Sequence, residues 1–183
     1  MSHRAFAGVG SRKTPEPILE RMHALGSALA RRGLILRSGA APGADTAFED
    51  GARAAGGACE IYLPWKGFEK HPTGVDAESL KAFHQAYSIA SKLHRGWAGL
   101  SRPVRLLMTR NVFQVLGADL DTPSKFVVCW APNPRLDRQG RVSNVDGGTG
   151  LAVRLAHARG IPVFHWAVPA HNQRLQAYLK AAA

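Results

Sequence analysis

Short apolar, β-branched runs alternate along the chain with longer segments whose apolar residues recur every three or four positions. Arg4-Ala5-Phe6-Ala7-Gly8-Val9 has the pattern of a first strand. After Pro15 and Pro17, the residues Ile18, Met22, Leu25 and Leu29 mark one face of a helix that Gly33 ends. Leu34-Ile35-Leu36-Arg37 reads as a second strand, residues 46 to about 55 as a second helix closed by Gly56-Gly57, and Cys59-Glu60-Ile61-Tyr62-Leu63 as a third strand stopped by Pro64. This βαβαβ order is the half-unit of a doubly wound parallel sheet, with right-handed helical crossovers.

An ordered loop is expected from Pro64 to Gly74. Leu80, Phe83, Tyr87, Ala90, His94 and Trp97 then predict one long helix over 76 to about 99, its stripe facing the core, with Arg102-Pro103 breaking it before a helix over 104–116. A fourth strand spans 125–130 and is closed by Pro132-Asn133-Pro134. The polar insertion at 135–144 carries Asp137-Arg138-Gln139-Gly140, which suggests the tip of a small hairpin. A glycine turn, a helix, a fifth strand at 162–166 and a terminal helix from about 169 complete the chain. The expected fold class is α/β: a single three-layer Rossmann-like domain over 1–183, with a parallel sheet and helices on both faces.

Composition narrows the classes. With 45% hydrophobic and 20% charged residues the chain is globular, and no apolar run approaches the length of a membrane span, so no membrane partner is expected. The first residues lead into a strand pattern without a secretory apolar region, which predicts a cytoplasmic location. Cys59 and Cys129 lie in strand-like runs and are expected to be buried free thiols. The formal charge of +11 suits an anionic partner, although the basic residues are scattered. The eight histidines show no metal-binding spacing, so no metal site is expected; His84, His94 and His157 are expected to pack or face solvent. Neither a GxSxG elbow nor a Walker A lysine is present.

The candidate chemistry lies in three glycine turns: Gly8-Val9-Gly10-Ser11-Arg12, Ser38-Gly39-Ala40-Ala41-Pro42-Gly43 and Asp146-Gly147-Gly148-Thr149-Gly150. In an open parallel sheet the loops after the strands share one edge, and ligands bind there where the strand order reverses. Glycines let the backbone approach a ligand, and the first N–H groups of a helix attract anions. Candidate ligand-binding residues are therefore Gly10, Ser11, Arg12, Ser38, Gly39, Gly43, Asp45, Arg110, Asn111, Gly147, Gly148, Thr149 and Gly150. Arg12 and Arg110 would neutralise phosphate, Asp45 would accept from ribose hydroxyls, and Ser11, Thr149 and Asp45 have helix capping as an alternative role. Trp65, Lys66 and Phe68 would form a lid over the cleft or, equally, anchor their loop.

Ser38-Gly39-Ala40-Ala41-Pro42-Gly43-Ala44-Asp45 resembles the SG-x-A-x-G-x-D segment of the DNA-uptake protein DprA (Smf). Arg110-Asn111 resembles that family's Arg-Asn pair before its fourth strand, and residues 147–156 take the place of its later turn and helix. Gly147-Gly148-Thr149-Gly150 also resembles the PGG-x-GT turn of the LOG proteins, which release base from cytokinin-type nucleoside monophosphates. Both belong to the SLOG superfamily of Rossmann-like proteins. The resemblance spans nearly the whole chain and implies a nucleotide-binding module that pairs as a homodimer. LOG enzymes follow the turn with Thr-x-x-Glu, whose carboxylate is part of the hydrolytic site; the matching positions here are Leu151 and Arg154.

Three functions remain open on these residues, with catalytic residues unassigned and no certain cofactor. The first is a sensor or accessory factor binding a phosphate-bearing nucleotide or nucleotide-derived ligand at the glycine-rich edge. The second is a nucleotide N-glycosidase using another carboxylate, for which Glu49, Glu60 and Asp146 are available. The third is DprA-like binding of single-stranded DNA.

Overall fold

The computed structural model describes residues 4 to 181. The chain runs β1 (Ala5–Gly10), α1 (Glu16–Arg31), β2 (Ile35–Ser38), α2 (Ala44–Ala54), β3 (Cys59–Leu63), β4 (Val75–Asp76), α3 (Phe83–Leu93) and α4 (Arg102–Leu116). It continues through β5 (Val127–Trp130), β6 (Arg135–Leu136), β7 (Val142–Asn144), α5 (Thr149–Ala158), β8 (Val163–His165) and α6 (Pro169–Ala181). Six strands form one sheet in the order β4-β3-β2-β1-β5-β8, every neighbouring pair parallel. The hairpin expected at 135–144 is present, as the antiparallel pair β6 and β7.

A parallel strand covered on both faces has to be apolar on both sides, and these strands are. Ala7, Val9, Tyr62, Val127 and Cys129 point into a core shared with α3, α4 and α5. Their strand neighbours Phe6, Ile61, Leu63, Phe126 and Val128 point the other way, into a core with α1, α2 and α6. The helices therefore form the two outer layers of a Rossmann-like three-layer fold. Cys59 and Cys129 are both free; Cys129 is buried as expected, which pushes its thiol up to about 12, whereas Cys59, at the start of β3, is only partly buried.

Four local expectations are corrected. The long helix over 76–99 is three pieces: a 3-10 turn at Ala77–Ser79, then α3, then a 3-10 turn at Trp97–Gly99. Asp76 caps the first turn by accepting from the Glu78 N–H at 3.0 Å, and Leu80 and His94 take extended backbone angles that stop helical hydrogen bonding on either side of α3. Leu80, Phe83 and Trp97 still pack on the core, so the stripe holds although the helix does not. Pro103 does not break a helix but sits in the first turn of α4, where its missing N–H costs nothing. Val75–Asp76, expected at a loop end and helix start, adds an edge strand to β3. The second helix starts at Ala44, which places Asp45 in its first turn. No helix among the described residues is long and apolar enough to cross a membrane.

Candidate functional site

β1 lies between β2 and β5, and the connections leave it in opposite directions along the sheet. That reversal opens a crevice beyond the carboxyl ends of the strands. A cleft of about 580 Å³ occupies it, large enough for a small ligand. Of the predicted residues, Gly10, Ser11, Arg12 and Asp45 line one part, and Arg110, Asn111, Gly147, Gly148 and Thr149 another. Lys13, Gln114 and Asp146 also line it and were not among the predicted ligand residues.

Below the cleft lies a buried polar network. Asp45 and Arg110 are 3% and 4% exposed, and Arg110 Nη1 donates to Asp45 Oδ2 at 3.0 Å. With the Gln114 amide turned to match its neighbours, its Oε1 accepts from Arg110 Nη1 at 2.8 Å and from the Gly39 N–H at 2.9 Å, while its Nε2 donates to Asn111 Oδ1 at 3.0 Å. Asn111 Nδ2 then donates to the Gly148 carbonyl at 3.0 Å. The loop after β2, the face of α4 and the turn before α5 are thereby fixed to one another. Burial pushes the Asp45 carboxyl above its usual range, against the pull of the Arg110 guanidinium. The Nε–H of Arg110 is buried without a partner.

Ser38, Gly39 and Gly43 do not line the cleft; they shape it. The Ser38 hydroxyl donates to the Gly8 carbonyl at 2.7 Å, joining the ends of β1 and β2. A Cβ on Gly39 would fall 1.2 Å from Arg110 Nη1, so only glycine leaves room for the guanidinium. Gly43 has φ +93°, and a Cβ there would also press on Ser11 O and Arg12 Cα at 3.0 and 3.1 Å. Gly150 is buried inside the first turn of α5.

Among the loop residues, Trp65, Lys66 and Phe68 are also outside the cleft lining. Phe68 is 4% exposed within the core beside α1 and α2, Trp65 packs edge-on against it at 5.2 Å, and the Arg110 guanidinium carbon lies 6.0 Å from the Phe68 ring centre. His71 Nε2 meets Glu49 Oε1 at 2.8 Å, and Arg53 Nε donates to the same oxygen at 2.6 Å. This arrangement anchors the loop. From it Glu69 reaches back to Arg12 at 3.4 Å.

The carboxylates available for glycosidic chemistry are separated by the same geometry. Glu49 serves His71 and Arg53, and Glu60 accepts from Arg37 at 2.7 Å and Tyr62 at 2.8 Å; neither lines the cleft. Arg154 also lies outside the lining, donating from Nε to the Leu93 carbonyl at 3.1 Å and from Nη1 to Asn144 Oδ1 at 2.7 Å. Asp146 does line the cleft; its Oδ2 accepts from Asn133 at 2.7 Å and its Oδ1 from Arg135 at 2.9 Å. Among the described residues no group of three or more His, Cys, Asp and Glu could hold a metal ion.

No protein-family model matches the chain, and no curated protein is a significant match to its sequence. Solved structures do share its fold. DNA processing protein A (DprA) from Helicobacter pylori, described for its single-stranded DNA binding mode, superposes with a TM-score of 0.54 at 14% identity, over 90% of this chain and 65% of that one. DprA from Streptococcus pneumoniae gives 0.51 at 17% identity, over 88% of this chain and 49% of that one. The molybdenum cofactor carrier protein of Chlamydomonas reinhardtii gives 0.51 at 18% identity, over 97% of this chain and 84% of that one. The chain thus spans about two thirds of one DprA and half of the other. What it shares with these proteins is their architecture, a Rossmann-like three-layer fold.

Proposed function

We propose that the cleft binds a phosphate-bearing nucleotide or nucleotide-derived small molecule, and that the protein acts as a binding module. The observation that carries this reading is the convergence on one cleft of the Ser11-Arg12-Lys13 loop and the N-terminus of α5 at Gly148 and Thr149. The first N–H groups of a helix have no intrahelical acceptor and favour an anion, and the loop adds two cations. A carrier or sensor also suits the fixed polar base of the cleft, which holds the loop after β2 and the turn before α5 in place on α4 before ligand arrives. The molybdenum cofactor carrier gives a precedent on this fold for holding a small molecule.

Gly148 provides the test. Its backbone is helical (φ −61°, ψ −33°), and an added Cβ would meet nothing closer than the Met108 methyl at 3.4 Å. Gly148→Leu should therefore fold, with stability changed by less than about 1 kcal/mol, and should obstruct the turn. Calorimetry with nucleoside mono-, di- and triphosphates and ADP-ribose is expected to show binding to the wild type and at least about tenfold weaker binding to the variant. A variant that binds as the wild type does would remove the ligand from this turn.

Single-stranded DNA is the second reading, favoured by the charge of +11 and by the likeness to DprA. It requires affinity for a short oligonucleotide that falls steeply with salt. Affinity indifferent to salt would end it.

A further inference from the structure

Asp45, the residue expected to receive a sugar hydroxyl, is committed to Arg110 and to the Ala41 N–H at 3.4 Å, and is 3% exposed. Asp146 is placed differently. Its carboxylate lies on the cleft wall with a side chain 41% exposed, and Asn133 and Arg135 each hold one of its oxygens. A carboxylate offers about four lone-pair positions, so two such bonds fix its orientation and leave acceptor capacity on both oxygens.

The cleft also carries charges of both signs. Asp45 and Arg110 balance each other in the base. Arg12 packs against Gly43 and reaches Glu69 in the loop that follows β3, whereas Asp146 is fixed on the β5 side through the Pro132 carbonyl, which accepts from its N–H at 3.0 Å. Arg12 itself follows β1, the strand beside β5, and only its side chain extends toward the β3 loop. A cleft that sets an oriented, half-exposed carboxylate beside the cations of the β1 loop and the α5 N-terminus matches a ligand that carries hydroxyl donors as well as an anionic group. It matches a polyanionic strand poorly, because a phosphate passing Asp146 would meet a like charge.

Building on the proposed small-ligand site, we infer that Asp146 determines specificity by accepting hydrogen bonds from a vicinal diol, so that the site selects ribose-containing anions over deoxyribose-containing ones. Asn133 and Arg135 position the carboxylate, and neither needs to touch the ligand. The same placement makes Asp146 unfavourable to DNA in the cleft.

The test uses the full chain, the four ribonucleoside 5′-monophosphates and their 2′,3′-dideoxy counterparts, with affinities measured by calorimetry for the wild type and Asp146→Ala. A charged acceptor facing two hydroxyls should give a preference of at least about tenfold for the ribonucleotide in the wild type. In Asp146→Ala the preference should fall to within about twofold, through weaker ribonucleotide binding and with dideoxynucleotide binding retained or improved. Equal binding of both series by the wild type, or an undiminished preference in the variant, overturns the inference while leaving the small-ligand site standing. Binding of no monophosphate in either series by the wild type overturns both. Asp146→Asn checks the chemistry: an amide that keeps one oxygen should recover part of the preference, and no recovery together with a lowered melting temperature would assign Asp146 a structural role instead.

Discussion

Two Arg–Asp systems flank the cleft, and burial gives them opposite properties. In the base, Asp45 and Arg110 are nearly inaccessible, and Gln114, Asn111 and the Gly39 and Gly148 backbone take up almost every polar atom around them. At the rim, the 135–144 hairpin holds Asp146 through Arg135, and Asp137 through Arg141 at 2.7 Å and His157 at 2.9 Å, all with solvent nearby. Only in the base has water been replaced almost completely by protein partners. Such a pair fixes backbone geometry but has little capacity left for a ligand. The rim pair contributes little to the fold and keeps its acceptors available. The same residue types can therefore supply a scaffold or a recognition group, and their accessibility separates the two.

The sharpest way to break that distinction is to remove one partner from the base. Arg110→Met leaves Asp45 buried without its cation and the Gln114 amide with only one of its two donors, and should cost about 3–5 kcal/mol in urea unfolding. The charge-free pair Asp45→Asn with Arg110→Met should recover a substantial part of that loss, since most of it is the cost of an unpaired buried charge. A loss below about 1 kcal/mol for Arg110→Met would mean that the base pair is no more structural than the rim.

The next effect concerns how the rim is attached. His165, fully buried, faces the Ala131 carbonyl through Nε2 at 3.0 Å and accepts from the Ala167 N–H through Nδ1 at 3.1 Å; His171 in turn bonds the His165 N–H and the Gly140 carbonyl of the hairpin turn. Burial lowers His165 from 6.5 to about 4, so the folded protein keeps it neutral where the unfolded chain already takes the proton. The unfolded state then binds more protons between those values, and stability falls as the pH drops from about 6.5 toward 4, by on the order of 3 kcal/mol at the lower end. His165→Gln, which retains a donor and an acceptor, should flatten this part of the pH profile of chemical denaturation. An unchanged profile would place the acid sensitivity elsewhere.

The base and the rim were unequally legible in the sequence. The parallel order and the shared edge of the three glycine turns could be read because they depend on backbone periodicity and on residues such as Gly39 and Gly43, which few others can replace there. The glycines were read as making room for a ligand, whereas Gly39 makes room for Arg110, a long-range contact that local pattern does not encode. Gln114 was missed, although there was a signal: Arg110, Asn111 and Gln114 are polar on a helix whose neighbours Val112, Phe113, Val115 and Leu116 are fully apolar, and positions four apart share a face. Asp146 was recognised only as a spare carboxylate, because its bond to Arg135 depends on how a bulged hairpin folds back over the turn. The long helix over 76–99 failed differently. Its apolar spacing was right, but a stripe reports which residues face the core and not whether the backbone between them is continuous.

The smallest effect tests the rim pair itself. Arg135 is 58% exposed and Asp146 41%, so their attraction is screened by water and offset by the entropy of holding a long side chain in place. Arg135→Met should change stability by only about 0–1 kcal/mol, at most about a third of the loss expected for Arg110→Met. Its effect on binding should be larger in kind. An Asp146 released from Arg135 keeps its charge but loses a fixed orientation, so the preference for a ribonucleotide should narrow while affinity for inorganic phosphate stays within about twofold. If phosphate affinity instead fell as far as ribonucleotide affinity, Arg135 would be holding the anion itself, and the rim would join Arg12 and Lys13 as part of the phosphate site.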